Sequence, residues 1–279
     1  MSHSEHQAIL LIGAGNMGTS IAKGLIANQW PAELITFCEQ QTARHATLKH
    51  EFPQCNIIAA AKDITRAPDV IILAVKPHDM AQVCKSLSQH QTFNDALYIT
   101  VAAGLPISCY QTWLAESATI VRCMPNTPAA IGLAMTGLYT ADDTRQDDKQ
   151  LADQILSAIG KTLWVDKESM LDAVTAVSGS GPAYLFYLME CMQNSGQTLG
   201  LSREESYALT LQTMLGAAQL AAHQDIDFGT LRANVTSKGG TTEQAINCFM
   251  KNKLQDIVDQ ALTAAADRAQ EISQSFDKE

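Results

Sequence analysis

"AILLIGAGNMGTSIAKGL", residues 8–25, decides the fold. Five apolar residues read as a short buried strand. Gly13, Gly15 and Gly18 follow at the spacing G-x-G-x-x-G, and helix formers follow them. The spacing alone is weak evidence; the strand before it and the helix after it supply the context in which it marks a dinucleotide-binding turn. Gly13 permits the tight turn, Gly15 lets the backbone approach a pyrophosphate, and Gly18 lets the helix lie close to the strand. Ala14, Asn16 and Met17 complete the loop. Unpaired N–H groups at the helix start add donors and the positive end of the helix dipole.

Outward from this motif, short apolar runs alternate with helical patterns. Strands are expected at 8–12, 34–38, 56–59, 70–75, 97–101 and 119–124, with weaker ones near 135–140 and 161–165. Helices are expected at 16–28, 41–51, 78–88 and 106–115. Alternation of this kind implies right-handed crossovers and a parallel sheet, and the continuous apolar strands suit burial on both faces. Beyond residue 165 no further strand–helix–strand unit appears. Helical stretches at 182–199, 203–223, 241–250 and 253–275 take over. "ESYALTLQTMLGAAQLAAH" is small or apolar nearly all round, so it needs neighbours on several sides. The expected class is therefore α/β, with an N-terminal Rossmann-type parallel-sheet domain over 1–165. An all-α domain over 166–279 follows, whose missing cover is a second subunit.

The 279 residues are 46% hydrophobic and 17% charged, with a formal charge of −10. That balance argues against a nucleic-acid partner or a polybasic membrane contact. Seven cysteines are scattered without a CxxC, and their number is odd, which fits reduced core thiols. The polar start "MSHSEHQ" lacks a signal-peptide pattern, and no apolar run reaches about 18 residues. The expectation is a soluble, cytoplasmic protein with no membrane span. The histidines show no metal-ligand spacing, so no metal is expected.

The second strand ends in "FCEQ". Glu39 lies 21 residues past Gly18, where an acidic residue grips the ribose hydroxyls of NAD. A carboxylate there repels a 2′-phosphate, whereas Arg44, a turn further on, could pair with one. NADH and NADPH both stay open. Lys76 is either a contact to substrate or phosphate or a structural lysine at a strand end. "SGSGPAY" (178–184) either makes a tight helix entry or brings backbone close to a nicotinamide ring.

Four further stretches, "AVKPHDM" (74–80), "VAAG" (101–104) with "RCMPNTPA" (122–129), "DAVTAVSGSGPAYLFYLME" (172–190) and "NVTSKGGTTEQAI" (234–246), join the glycine loop in a particular order. Together they resemble the pyrroline-5-carboxylate reductases over essentially the whole chain. The resemblance implies a helical dimerisation domain and homodimers, often assembled further into decamers. It also implies hydride transfer from NAD(P)H to the C=N carbon of a cyclic imine acid, giving L-proline. By that resemblance Gly13 to Gly18 form the pyrophosphate loop, and Ala74, Val75, Lys76 and Pro77 line the cofactor. Ala102, Ala103 and Asn126 lie on matching cofactor loops. Ser237, Gly239, Gly240, Thr241 and Thr242 match the loop for the substrate carboxylate, and Thr242 is also the candidate for a hydrogen bond to the ring nitrogen. There are departures. Cys38-Glu39-Gln40 stands where many relatives hold a 2′-phosphate with Ser-Asn-Arg or similar. Ala61 replaces a frequent Asn, and Lys238 a frequent Pro.

Two other readings compete. A β-hydroxyacid dehydrogenase shares the two-domain plan, but its helix-opening glycine run carries a lysine that "SGSGPAYLFYL" lacks. A non-catalytic NAD(P)-sensing Rossmann protein would bind the nucleotide without imine-dependent turnover.

Overall fold

The computed structural model describes residues 6–276; the first five residues of the polar start lie outside it. Eight strands form one sheet in the order β3-β2-β1-β4-β5-β6-β7-β8. They are β1 (Ile9–Ile12), β2 (Ile35–Cys38), β3 (Asn56–Ile58), β4 (Val70–Leu73), β5 (Leu97–Thr100), β6 (Ile120–Met124), β7 (Ala134–Thr140) and β8 (Gly160–Trp164). The first six strands pair in parallel, with Ile9 of β1 opposite both Ile35 and Val70. The expectation of a parallel sheet needs one correction, because β6 and β7 run antiparallel. Only residues 125–133, with a 3-10 turn at Thr127–Ile131, separate them. A parallel return would need a crossover of a dozen residues or more. β8 then pairs parallel to β7 after the helical crossover α5 (Gln146–Ser157).

Alternate residues of the strands enter opposite faces. Ile9 and Leu11 join one apolar cluster with Ile21 and Leu25 of α1 (Asn16–Ala27). Leu10 and Ile12 join the other with Met80 and Cys84 of α3 (Pro77–Leu87). The connections α2 (His45–Glu51) and α4 (Ile107–Trp113) complete the layers. Five of the seven cysteines are buried, and no disulfide forms among the described residues. Burial pushes Cys38 up to about 11 and Cys84 up to about 12.

The chain divides into two compact units. The sheet unit runs through Ser180 and takes back the chain from Ala265; the second unit is Gly181–Ala264. The boundary expected after 165 lies just past β8, whereas the compact units divide after Ser180 and the end of α11 belongs to the first of them. Past it, α6 (Met170–Val174) and a π-helical turn, Thr175–Gly179, still pack on β6 and β7. The second unit holds α7 (Gly181–Thr198), α8 (Arg203–His223), α9 (Phe228–Asn234) and α10 (Thr241–Lys251). It also holds the start of α11 (Leu254–Phe276). Helix α8 starts with a capping box, Ser202 accepting from the Glu205 N–H while the Glu205 carboxylate accepts from the Ser202 N–H. α7 and α8 pack side by side where Gly196 leaves room for Ser206. Only Ser206 and Thr210 are buried among the described residues of this unit. Phe186 and Tyr187 are 65% and 68% exposed, and Leu209 is 57% exposed. An apolar pair of helices without a core of its own lacks the burial that stabilises a separate domain.

Candidate functional site

The glycine loop leaves β1 at the carboxyl edge of the sheet, and its three glycines have three distinct surroundings. Gly13 has φ +94°, and a Cβ there would stand 2.9 Å from the Ala74 carbonyl oxygen. At Gly18 a Cβ would overlap the Gly13 carbonyl and stand 2.8 Å from Leu11 Cδ2. Around Gly15 nothing lies within 4 Å, so that face of the loop is open to a ligand. Gly15 caps α1 without a side-chain bond, and no acidic residue occupies the first turn. The backbone N–H groups of Gly15, Asn16 and Met17 find no partner among the described residues. Open space together with unpaired donors at a helix start suits a pyrophosphate, so the residues fit a dinucleotide.

Glu39 ends β2 beside this loop. Its side chain is buried and turned inward. It accepts from the Gln41 N–H at 2.9 Å, from the Ala14 N–H at 3.3 Å and from Arg44 Nη1 at 3.1 Å. Arg44 Nη2 also donates to the Ala14 carbonyl at 2.5 Å. Arg44, still partly open to solvent, therefore clasps β2 to the glycine loop, while Gln40 is exposed. The carboxylate and guanidinium form an ion pair at the end of β2.

Along the same edge, Ala74 and Val75 follow β4, and Lys76 caps α3 with Pro77 as its first residue. Proline there loses no hydrogen bond, since the first helical N–H has no partner within the helix. Lys76 is exposed, and no hydrogen bond or ion pair of its side chain is formed among the described residues. Ala102 is buried and Ala103 exposed after β5. The next residue, Gly104 (φ +82°), meets Ile272 near the end of α11 where a Cβ would stand. Asn126 follows β6, and its side chain is committed within the protein. Nδ2 donates to the Ser178 carbonyl at 2.9 Å, and Oδ1 accepts from the Met135 N–H at 3.0 Å.

Sequence reasoning missed the anchoring of the segment that follows β8. Arg122, buried in β6, pairs with Glu168 at 3.0 Å, and Glu168 also accepts the Ile107 N–H at 2.8 Å. Burial pushes Asp172 above the usual carboxylate range, with Arg122 opposing and Glu168 adding to the shift. The signal was present: an arginine inside "TIVRCM" must be paired if the strand is buried.

The second loop lies in the helical unit. Gly239 takes φ +73°, and Gly240 caps α10 with no side-chain bond. The amides of Thr241, Thr242 and Glu243 have no partner among the described residues, nor do the hydroxyls of Ser237, Thr241 and Thr242. Glu243 was not foreseen. Its carboxylate reaches back to accept the Gly239 N–H at 2.8 Å and closes the left-handed turn. Three amides and three hydroxyls remain for an anion. No group of three or more His, Cys, Asp or Glu side chains able to hold a metal occurs among the described residues. Among the described residues, no helix is long and apolar enough to cross a membrane.

A parallel sheet with a glycine turn opening α1, and strand ends lined by small residues, defines a nicotinamide-dinucleotide oxidoreductase. Comparison with known proteins narrows the class. Residues 8–104 match the family model "NADP oxidoreductase coenzyme F420-dependent", and residues 168–272 match "Pyrroline-5-carboxylate reductase dimerisation". The pyrroline-5-carboxylate reductase of Pseudomonas aeruginosa is 42% identical over 96% of this chain and 97% of its own length. A pyrroline-5-carboxylate reductase structure from Coxiella burnetii superposes with a TM-score of 0.92 at 37% identity, covering 96% of this chain and 99% of that one. That of Plasmodium falciparum, with NADP bound, gives 0.81 at 26% identity, covering 96% and 99%. The chain belongs to the pyrroline-5-carboxylate reductase family.

Proposed function

We propose that the chain reduces L-1-pyrroline-5-carboxylate to L-proline with NAD(P)H, the last step of proline biosynthesis. Two anion loops of different construction carry this reading. The first, Gly13–Gly18, has the open face and unpaired amides that a pyrophosphate needs. The second, at Ser237–Thr242 and the start of α10, offers three amides flanked by three hydroxyls, a set suited to a carboxylate. Charge-assisted hydrogen bonds of this kind are about twice as strong as neutral ones.

When bound, the nicotinamide supplies the hydride. Ala74, Val75, Pro77, Ala102 and Ala103 present small, mostly apolar side chains to its end of the site, so that the ring can lie close to backbone and water is kept out. The reaction requires the imine carbon, held through its carboxylate by the second loop, to face that ring. A protonated cyclic imine is already electrophilic, so positioning and water exclusion are the main tasks; such positioning accounts for up to about 7–11 kcal/mol in favourable cases. The Thr242 hydroxyl is the candidate to hold the carboxylate or the ring nitrogen.

Glu39 favours NADH through its negative charge at the end of β2, which opposes a 2′-phosphate. NADPH requires Arg44 to leave Glu39 and turn to the 2′-phosphate. The working unit is a homodimer built through the helical unit, whose apolar faces are open in the single chain. Dimers assemble further into decamers, and the enzyme works in the cytoplasm, where its thiols stay reduced. Steady-state kinetics and a cofactor titration on Thr242→Ala test the second loop. The expected result is a roughly 10- to 100-fold loss of kcat/KM for the imine, the size of a hydrogen bond to a charged group, with NAD(P)H affinity unchanged. Lost NAD(P)H binding in a folded variant would contradict this assignment.

A further inference from the structure

The π-helical turn Thr175–Gly179 is the one π-helical element among the described residues. It is closed by the Ser180 N–H donating to the Thr175 carbonyl at 2.8 Å. Such turns interrupt the ordinary ladder and occur mostly where a site needs a displaced stretch of backbone. The Ser178 carbonyl has no helical donor four residues on, because that residue is Pro182, and Asn126 Nδ2 donates to it at 2.9 Å. The other end of the same carboxamide takes the Met135 N–H, the second residue of β7. One side chain thus bridges the loop after β6, the start of β7 and the turn.

The neighbouring contacts place the turn tightly. A Cβ on Gly137 of β7 would stand 2.6 Å from Val174 Cγ1, and one on Gly179 would stand 2.6 Å from Met124 Cε, at the end of β6. Upstream, Arg122 holds Glu168. The segment 168–180 is therefore pinned at its two ends by residues four apart, Arg122 within β6 and Asn126 just past it. Its far end lies at the carboxyl edge, where ligands bind in open sheets of this type.

We infer that Asn126 is a positioning residue for the reduction: it donates a hydrogen bond that sets the backbone of residues 178–180 beside the nicotinamide end of the site, and it is not itself a cofactor ligand. The inference rests on the reading of that edge as the place of hydride transfer. The donor is what matters, because an oxygen in its place would face the Ser178 carbonyl oxygen. An ionised aspartate can accept from Met135 but cannot donate to Ser178.

Asn126→Ala and Asn126→Asp are compared with the wild type at pH 8. The readouts are turnover of pyrroline-5-carboxylate, NAD(P)H titration by nicotinamide fluorescence, thermal melting, and the primary isotope effect with cofactor deuterated at the transferred position. Both variants are expected to lose at least 10-fold in kcat, as for a buried hydrogen bond left unmade. Cofactor dissociation constants should stay within about 3-fold, and the isotope effect should be larger because misplacement makes hydride transfer more nearly rate-limiting. An aspartate variant with wild-type kcat would show that the bond to Ser178 is dispensable and overturn the inference. So would a loss concentrated in NAD(P)H affinity, which would make Asn126 a ligand. Unfolding of both variants would make it a determinant of the fold and overturn the inference equally. A wild-type protein without imine-dependent turnover would remove the functional reading first; active wild type with unaltered variants would remove this inference alone.

Discussion

Replacing Gly15 and Gly18 by alanine, one at a time, should separate binding from folding within four residues of chain. At position 18 the added methyl would overlap the Gly13 carbonyl oxygen and press on Leu11 Cδ2 at 2.8 Å. Neither neighbour is the free end of a flexible side chain, since one is backbone and the other is fully buried in β1. Helix α1 must draw away from the strand. Overpacking of this kind costs about 1–3 kcal/mol. At about 2–4 °C per kcal/mol for a domain of this size, Tm should fall by roughly 3–10 °C. At position 15 nothing stands within 4 Å, and φ −71°, ψ −172° is open to alanine. The folded protein loses only the advantage of glycine over alanine at an N-cap, on the order of 0.5–1 kcal/mol, so Tm should move by at most about 4 °C. The methyl does, however, stand on the face where pyrophosphate must approach. NAD(P)H affinity should fall at least 10-fold, about 1.4 kcal/mol or more. Thermal melts and fluorescence titration of the two variants read both quantities. Gly15→Ala binding NAD(P)H as tightly as wild type would refute the assignment of that open face to the pyrophosphate. Equal melting losses in the two variants would refute the packing argument.

Three further outcomes follow from the same geometry. Glu39→Asn removes the charge that opposes a 2′-phosphate and releases Arg44; the NADPH-to-NADH ratio of kcat/KM should rise by roughly 5-fold or more, about 1 kcal/mol, and an unchanged ratio would mean Glu39 does not face the 2′ position. The double variant Phe186→Asp, Leu209→Lys charges two of the open apolar faces of the helical unit, and sedimentation should show a monomer at micromolar concentration; a stable dimer would place the interface elsewhere. Cys38 and Cys84 are held neutral in the fold at about 11 and about 12 against an ordinary 9.0. The unfolded chain releases these protons first, so their contribution is complete below pH 9 and is lost as pH rises from 9 toward 12. Melting temperature should fall over that window, and the Cys84→Ala protein should fall less steeply.

Much of this was legible because separate local signals agreed. The glycine spacing needs φ > 0 at one position, an open face at another and close packing at a third, and Gly13, Gly15 and Gly18 occupy those three environments. The helix 203–223 could be read to the residue, since its capping box and the Gln224–Asp227 break are local chemistry. What stayed hidden depends on contacts between distant parts of the chain. The reversal at β7 turns on a connection too short for a crossover, yet the apolar pattern of "AMTGLYT" is the same in either direction. The inward turn of Glu39 depends on Arg44 reaching the Ala14 carbonyl, five residues ahead on one side and thirty back on the other. Asn126 matched a cofactor loop by resemblance, while its two hydrogen bonds run to Ser178 and Met135. The π-turn carries no periodicity of its own, and Glu243 could be placed at the third position of α10 but not seen to fold back on Gly239.

The central claim is that the chain carries two anion loops for one reaction, the first proposed to hold NAD(P)H and the second an imine acid. The most direct test follows absorbance of the reduced nicotinamide in the purified wild-type protein, with pyrroline-5-carboxylate and each cofactor in turn, and identifies the product as L-proline. Oxidation of NADH or NADPH that depends on the imine, saturates with it and yields one L-proline per nucleotide is the predicted result. Tight NAD(P)H binding with no imine-dependent oxidation would contradict it and leave a nucleotide-binding protein of another function.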